Sequence, residues 1–241
     1  TVIENKENLG GSGGFNTGLR IVRDKGYSYF MCLDDDAAVD ENALSVLYHY
    51  MEEHTDTGMA GCRVYHTQMS DYIQQSGLLI DFDNCTAKTI GADMPEDGSL
   101  PDVIECDTVA TCAVMVRADT VKQKGVGIMP EDNFIYWDDM EWGYRIKLAG
   151  YRVVTLAEAK ALHQMGANTK KENTFINYYM WRNRTNFFMR FTPEAQMEAM
   201  SVKVLGAVFD AMYESMSDRQ FPMRFMMHWL ACVERRIRTK S

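Results

Sequence analysis

Apolar positions along the chain alternate between strand-length runs and stretches at helical spacing. Residues 27–33 form a compact apolar run that predicts a buried strand, and it stops abruptly at Asp34, Asp35 and Asp36. A helix is expected from Asp40 to about Glu53, with Leu44, Leu47 and Met51 on one face. Strands are predicted at residues 59–65, 77–81, 109–116 and 151–156. A helix over residues 138–149 is closed by Gly150. Near the start, residues 1–4 read as the end of a strand, residues 8–14 as a glycine-rich turn, and residues 15–25 as a helix with Leu19 and Val22 inward. Residues 66–101 are turn-rich, with glycine and proline at 77, 91, 95, 98 and 101. Strands alternating with helices predict an α/β layered sheet.

The pattern changes near Asn177, where Tyr178, Tyr179 and Trp181 open a helical, methionine- and aromatic-rich region. Two regions are therefore expected, a core over residues 1–176 and a helical extension over 177–241. Residues 219–241 carry six basic side chains against Glu234 alone, with apolar residues at roughly helical spacing. Such a helix fits either a peripheral contact with an anionic membrane surface or packing against the core or a second subunit.

Composition narrows the classes. The 241 residues are 46% hydrophobic and 24% charged, enough for a sizeable core. A net charge of −9 argues against a general nucleic-acid binder. Six cysteines without CxxC spacing read as buried free thiols in a reducing, cytoplasmic compartment. No run reaches the roughly 18–20 apolar residues of a membrane span. The opening Thr1-Val2-Ile3 reads as the interior of a longer protein, without a signal peptide.

Four constellations carry candidate chemistry. Asp34, Asp35 and Asp36 follow a buried strand, where open α/β sheets place ligands. Adjacent carboxylates repel unless a cation lies among them, and hard oxygen ligands suit Mg²⁺ or Mn²⁺. A solvated acidic turn is the plain alternative. The stretch Asn8, Gly10, Gly11, Gly13, Gly14 and Asn16 leads into a helix and lets a backbone approach an anion closely, although a flexible turn would look the same. Trp137, Asp138, Asp139 and Glu141 open a helix, where carboxylates also favour the helix dipole. One of them could serve as a base while the others hold acceptor hydroxyls, with Trp137 stacking on a sugar. His163 follows a strand and is either structural or a ligand for Mn²⁺.

Taken in order, residues 8–18, 33–36, 137–145, His163 and 178–183 resemble the inverting family 2 glycosyltransferases, over most of residues 5–186. The nearest branch is the bacterial galactofuranosyltransferases, then the rhamnosyltransferases. The resemblance implies a GT-A fold: a mixed sheet flanked by helices, here without its N-terminal nucleotide-binding strand and with a C-terminal helical extension. It implies Mn²⁺ or Mg²⁺ held by Asp34, Asp36 and His163, and Asp139 as catalytic base. It implies an acceptor site shaped by Trp137, Asp138 and Glu141. Donor contacts would come from Asn8, the four glycines, Asn16, Asp34, Asp35 and Arg182, with Asn183 beside the last. The implied partners are a nucleotide-diphospho-sugar, UDP-galactofuranose ahead of dTDP-rhamnose, and a polysaccharide or lipid-linked glycan, with work at the inner membrane face. Two rival classes remain. A nucleotidyltransferase would carry Arg and Lys in its glycine loop, and residues 8–14 have neither. A non-catalytic glycan-binding module would not need the set Asp34, Asp36, Asp139 and His163.

Overall fold

A computed structural model describes residues 1–164 and 174–214. Its elements in chain order are α1 (Gly10–Lys25), β1 (Tyr29–Leu33), β2 (Ala37–Val39), α2 (Ala43–Glu53), β3 (Thr57–His66), β4 (Met69–Gln75), β5 (Leu78–Asp81) and β6 (Thr86–Thr89). Then follow β7 (Met94–Pro95), β8 (Val103–Glu105), β9 (Ala113–Arg117), α3 (Asp138–Leu148), β10 (Arg152–His163), α4 (Thr174–Phe191) and α5 (Met197–Glu214). The chain divides into two compact units. The first comprises residues 1–79, 87–134 and 138–166; the second comprises 80–86, 135–137 and the chain from 167.

The first unit is built on a mixed sheet whose central order is β1-β9-β3-β10-β2. β3 and β10 run parallel, and the other pairings are antiparallel. The central strand β3 is buried along nearly all its length, as expected of a strand covered on both faces. Side chains alternate between two apolar layers. Met59, Val114, Val116 and Val153 pack with Leu19 of α1 and Trp142 and Ile146 of α3. Ala60, Met115 and Val154 pack with Ala43, Leu47 and Met51 of α2. Those three α2 residues recur every four positions and are fully buried, so one helical stripe covers that face. Arg63 lies within β3 at 2% exposure. Its guanidinium is satisfied by Ser76 Oγ at 3.2 Å, Glu96 at 3.0 Å and the Pro101 carbonyl at 2.6 Å, which a buried charge requires.

In the second unit, Phe82, Phe187 and Phe188 form an aromatic cluster that also holds Trp137. Asn183 Nδ2 donates to the carbonyls of Ile135 and Tyr136, both at 2.8 Å. The basic segment 219–241 lies outside the described residues. Among the described residues no helix is long and apolar enough to cross a membrane.

The fold corrects several local expectations. Residues 1–4 form no strand, and the glycine-rich stretch is the first turns of α1 rather than a turn before it. Glycine is a poor helix former, and tertiary contact overrides that preference here. Residues 66–101 hold β4, β5, β6 and β7 rather than one strand, and β2 and β8 are too short to show a period. β10 continues past Leu156, through an irregularity in its pairing with β3, as far as His163. The five described cysteines are buried free thiols, as expected.

α3 is fitted to the sheet at Gly143, where a Cβ would lie 2.1 Å from Thr108 Oγ1 and 2.7 Å from its Cβ. Gly143→Ala should therefore force α3 outward and cost about 1–3 kcal/mol, read as a lower midpoint in urea unfolding. An unchanged midpoint would show that the contact relaxes freely.

Candidate active site

The site grows from two strand ends and one helix start. β1 ends at Leu33, and Asp34 N–H continues the ladder by donating to the Cys112 carbonyl at 3.1 Å. A tight turn follows, with Ala37 N–H donating to the Asp34 carbonyl at 3.2 Å. β2 then pairs antiparallel with the end of β10, setting Ala37 opposite His163. Gln164 N–H donates to the Asp36 carbonyl at 3.1 Å. This register brings residues more than a hundred positions apart into contact. His163 Nε2 lies 3.2 Å from Asp36 Oδ1 and 4.0 Å from Asp34 Oδ2. Asp34, Asp36 and His163 each offer a ligand atom within 4.8 Å of the others. Asp35 is exposed and outside this group.

Gln74 of β4 is the residue that sequence reasoning missed here. Its Nε2 donates to the His163 carbonyl at 3.1 Å, which orients the amide so that Oε1 accepts from His163 Nδ1 at 2.7 Å. The ring is thereby held with Nε2 facing the two carboxylates. An imidazole nitrogen and two carboxylates, braced from behind, form a donor set suited to a divalent cation. Burial raises the pKa of the Asp34 carboxyl; nearby His163 lowers it, and Asp36 and Asp35 raise it.

The second group opens α3. Asp138 is buried, and its Oδ2 accepts from Ser12 Oγ at 3.0 Å. Burial raises its pKa. Asp139 is half-buried; its Oδ1 accepts Met140 N–H at 2.7 Å, and its carbonyl accepts from Thr108 Oγ1 at 2.8 Å. Burial, then the charge of Asp138, pushes the Asp139 carboxyl up to about 7, with Asp34 adding to the effect. The metal-type triangle and the α3 pair therefore lie within electrostatic reach of each other. A carboxyl poised near neutrality suits a group that must accept a proton at ordinary pH.

Other candidates have different surroundings. Glu141 is fully buried and ion-paired with Arg145 one turn on, so it braces α3 internally. Asn16 is fully buried, its amide donating to the Met129 carbonyl and accepting Met129 N–H, both at 2.9 Å. Asn8 is exposed, and its Oδ1 accepts Gly10 N–H at 2.9 Å. Gly11 and Gly14 are exposed, whereas Gly13 is buried, where a Cβ would meet Leu9 Cβ at 2.4 Å. Trp137 and Arg182 belong to the second unit. Trp137 is 7% exposed and packs on Phe187 and Phe188, its ring centroid 5.4 and 5.6 Å from theirs. Arg182 bonds Asn183 Oδ1 at 2.8 Å and lies over the Tyr179 ring at 4.5 Å.

Comparison with known proteins agrees with this architecture. The glycosyl transferase family 2 model matches residues 1–114. Galactofuranosyltransferase GlfT2 of Mycolicibacterium smegmatis is 22% identical over 198 residues, which are 76% of this chain and 30% of that protein. The crystal structure of GalNAc-T7 with UDP, GalNAc and Mn²⁺ superposes with a TM-score of 0.56 at 11% identity, covering 77% of this chain and 35% of that one. The chain thus spans about a third of the length of these relatives. Its core is a GT-A fold. The family likeness is carried by residues 1–114.

The raised Asp139 value carries a sign for stability. Between the ordinary 3.8 and about 7 the folded chain binds more protons than the unfolded one, so stability falls as pH rises through that window. Asp139→Asn, measured metal-free, should raise the unfolding temperature by a few degrees at pH 8, with the gain fading toward pH 4. A variant less stable than wild type at pH 8 would contradict the assigned burial cost.

Proposed function

We propose that this chain is the catalytic part of an inverting glycosyltransferase that moves galactofuranose from UDP-galactofuranose to a cell-surface polysaccharide or lipid-linked glycan. The observation that carries the reading is the Asp34–Asp36–His163 triangle within electrostatic reach of a near-neutral Asp139. The likeness to galactofuranosyltransferase GlfT2 supports the choice of donor. The buried free thiols support a reducing, cytoplasmic setting.

Asp34, Asp36 and Nε2 of His163 would hold Mn²⁺ or Mg²⁺, which when bound supplies positive charge against a diphosphate. The side chains account for the rest. Gln74 holds the His163 ring so that Nε2 faces the two carboxylates. Asp139 accepts the proton of an acceptor hydroxyl as its oxygen forms the new bond to the anomeric carbon. The bond from that carbon to the diphosphate breaks, and its electron pair leaves with UDP. One displacement from the opposite face inverts the anomeric centre and needs no covalent enzyme intermediate. Burial around Asp139 favours the proton-bound form that this step produces.

Asp139→Asn should lower acceptor-dependent UDP release about 10²–10⁴-fold while Mn²⁺-dependent UDP binding, read by calorimetry, persists. Asp36→Ala should lose that metal-dependent binding, and EDTA should abolish turnover of the wild type. In the wild type, kcat/KM should fall as pH drops below about 7, because only the ionised carboxylate accepts a proton. Full activity of Asp139→Asn would remove the base assignment. Turnover with dTDP-rhamnose in place of UDP-galactofuranose would replace the donor while leaving the reaction class intact.

A further inference from the structure

The glycine-rich start of α1 does something other than offer an open anion loop. Ser12 is fully buried, and its Oγ donates to Asp138 Oδ2 at 3.0 Å. Its own N–H donates to the Phe134 carbonyl at 3.3 Å. At Gly10, with φ +71°, a Cβ would come within 2.1 Å of that same carbonyl. At Gly11 a Cβ would be 3.4 Å from Asp138 Oδ2, so that carboxylate rests directly on the first turn of α1. One turn further along, Asn16 fixes Met129 through two hydrogen bonds. Arg20 pairs with Glu131. The segment leading into α3 is therefore held along α1 at successive turns, and Ser12 is the contact that reaches the helix itself.

We propose that Ser12 is a positioning residue for the carboxylate pair of α3, fixing Asp138 so that the neighbouring Asp139 presents its carboxylate to the acceptor. This rests on the reading of Asp139 as proton acceptor. Successive helical residues point about 100° apart, so anchoring Asp138 against α1 sets the direction of Asp139. The anchor has a counterpart: Thr108 Oγ1 holds the Asp139 carbonyl at 2.8 Å from another side. Without the Ser12 hydroxyl, Asp138 stays buried but loses a donor, and the first turn of α3 can rotate to find another. At Gly10 the approach of α1 to this turn leaves no room for a side chain.

The test uses Ser12→Ala and Ser12→Cys, alone and with Asp139→Asn, with UDP-galactofuranose and a galactofuranose disaccharide as substrates. Cysteine fills the site with a slightly larger group of the same shape but donates weakly, so it separates packing from hydrogen bonding. Both single variants should lower kcat about 10- to 100-fold, with KM and Mn²⁺-dependent UDP binding within about twofold of wild type. In the Asp139→Asn background, removing Ser12 should change the residual rate by less than about twofold, since the residue acts through Asp139. Wild-type kcat in Ser12→Ala, full recovery in Ser12→Cys, or an equal loss in the Asp139→Asn background would each overturn the positioning role alone. A wild type without acceptor-dependent UDP release would overturn the glycosyltransferase reading, and the positioning role with it.

Discussion

Repulsion among carboxylates is the constraint around which the first unit is organised. Asp34, Asp36, Asp138 and Asp139 are drawn together by a strand end and a helix start, where burial and then the neighbouring carboxylates raise the cost of ionising Asp34 and Asp139. Left alone, such a cluster would pull the elements apart. The surrounding residues offset it piece by piece: the imidazole of His163 against Asp34 and Asp36, the Ser12 hydroxyl against Asp138, and a backbone N–H against Asp139. The register of β2 on β10 and the close approach of α1 to α3 are the structural means of delivering those partners. A cation among Asp34, Asp36 and His163 would relieve the same strain.

Much of this was legible in the residues. The acidic triplet after a buried strand, the carboxylates at the head of α3 and the close of that helix near Gly150 are local signals, and the structure places them accordingly. The α/β class followed from the succession of elements, and the GT-A fold from the resemblance they carry. What was not legible depends on contacts between distant segments. Gln74 lies in a stretch whose glycines and prolines mask its strands, and nothing nearby in sequence says that it faces His163. The reach of β10 to His163 is hidden because Glu158 and Lys160 look outward and break the apolar run. The glycines near the start resemble an open loop by propensity, yet Gly10 and Gly13 are demanded by Phe134 and Leu9. The surroundings of Trp137 and Glu141, one in an aromatic cluster and one in an internal ion pair, follow from packing that no local pattern announces.

The division of labour is uneven between charges that look alike. Asp35, flanked by two members of the triangle, is exposed and takes no part in it, because successive residues of a turn point in different directions. Asp138 and Asp139 are adjacent too, yet one is tied to α1 while the other keeps some access to solvent. Direction, set by tertiary contact, separates these neighbours where residue type cannot.

Cys112 shows one further outcome of the same field. Its carbonyl supports Asp34, and its thiol lies where burial, Asp34 and Asp139 together push its pKa up to about 12. Sulfur is ordinarily the most reactive nucleophile a chain can offer, but only as thiolate. Buried and held protonated, it offers little purchase to alkylating or oxidising reagents. Burial first, and the neighbouring carboxylates after it, thereby keep a potential nucleophile silent at the edge of the acidic cluster.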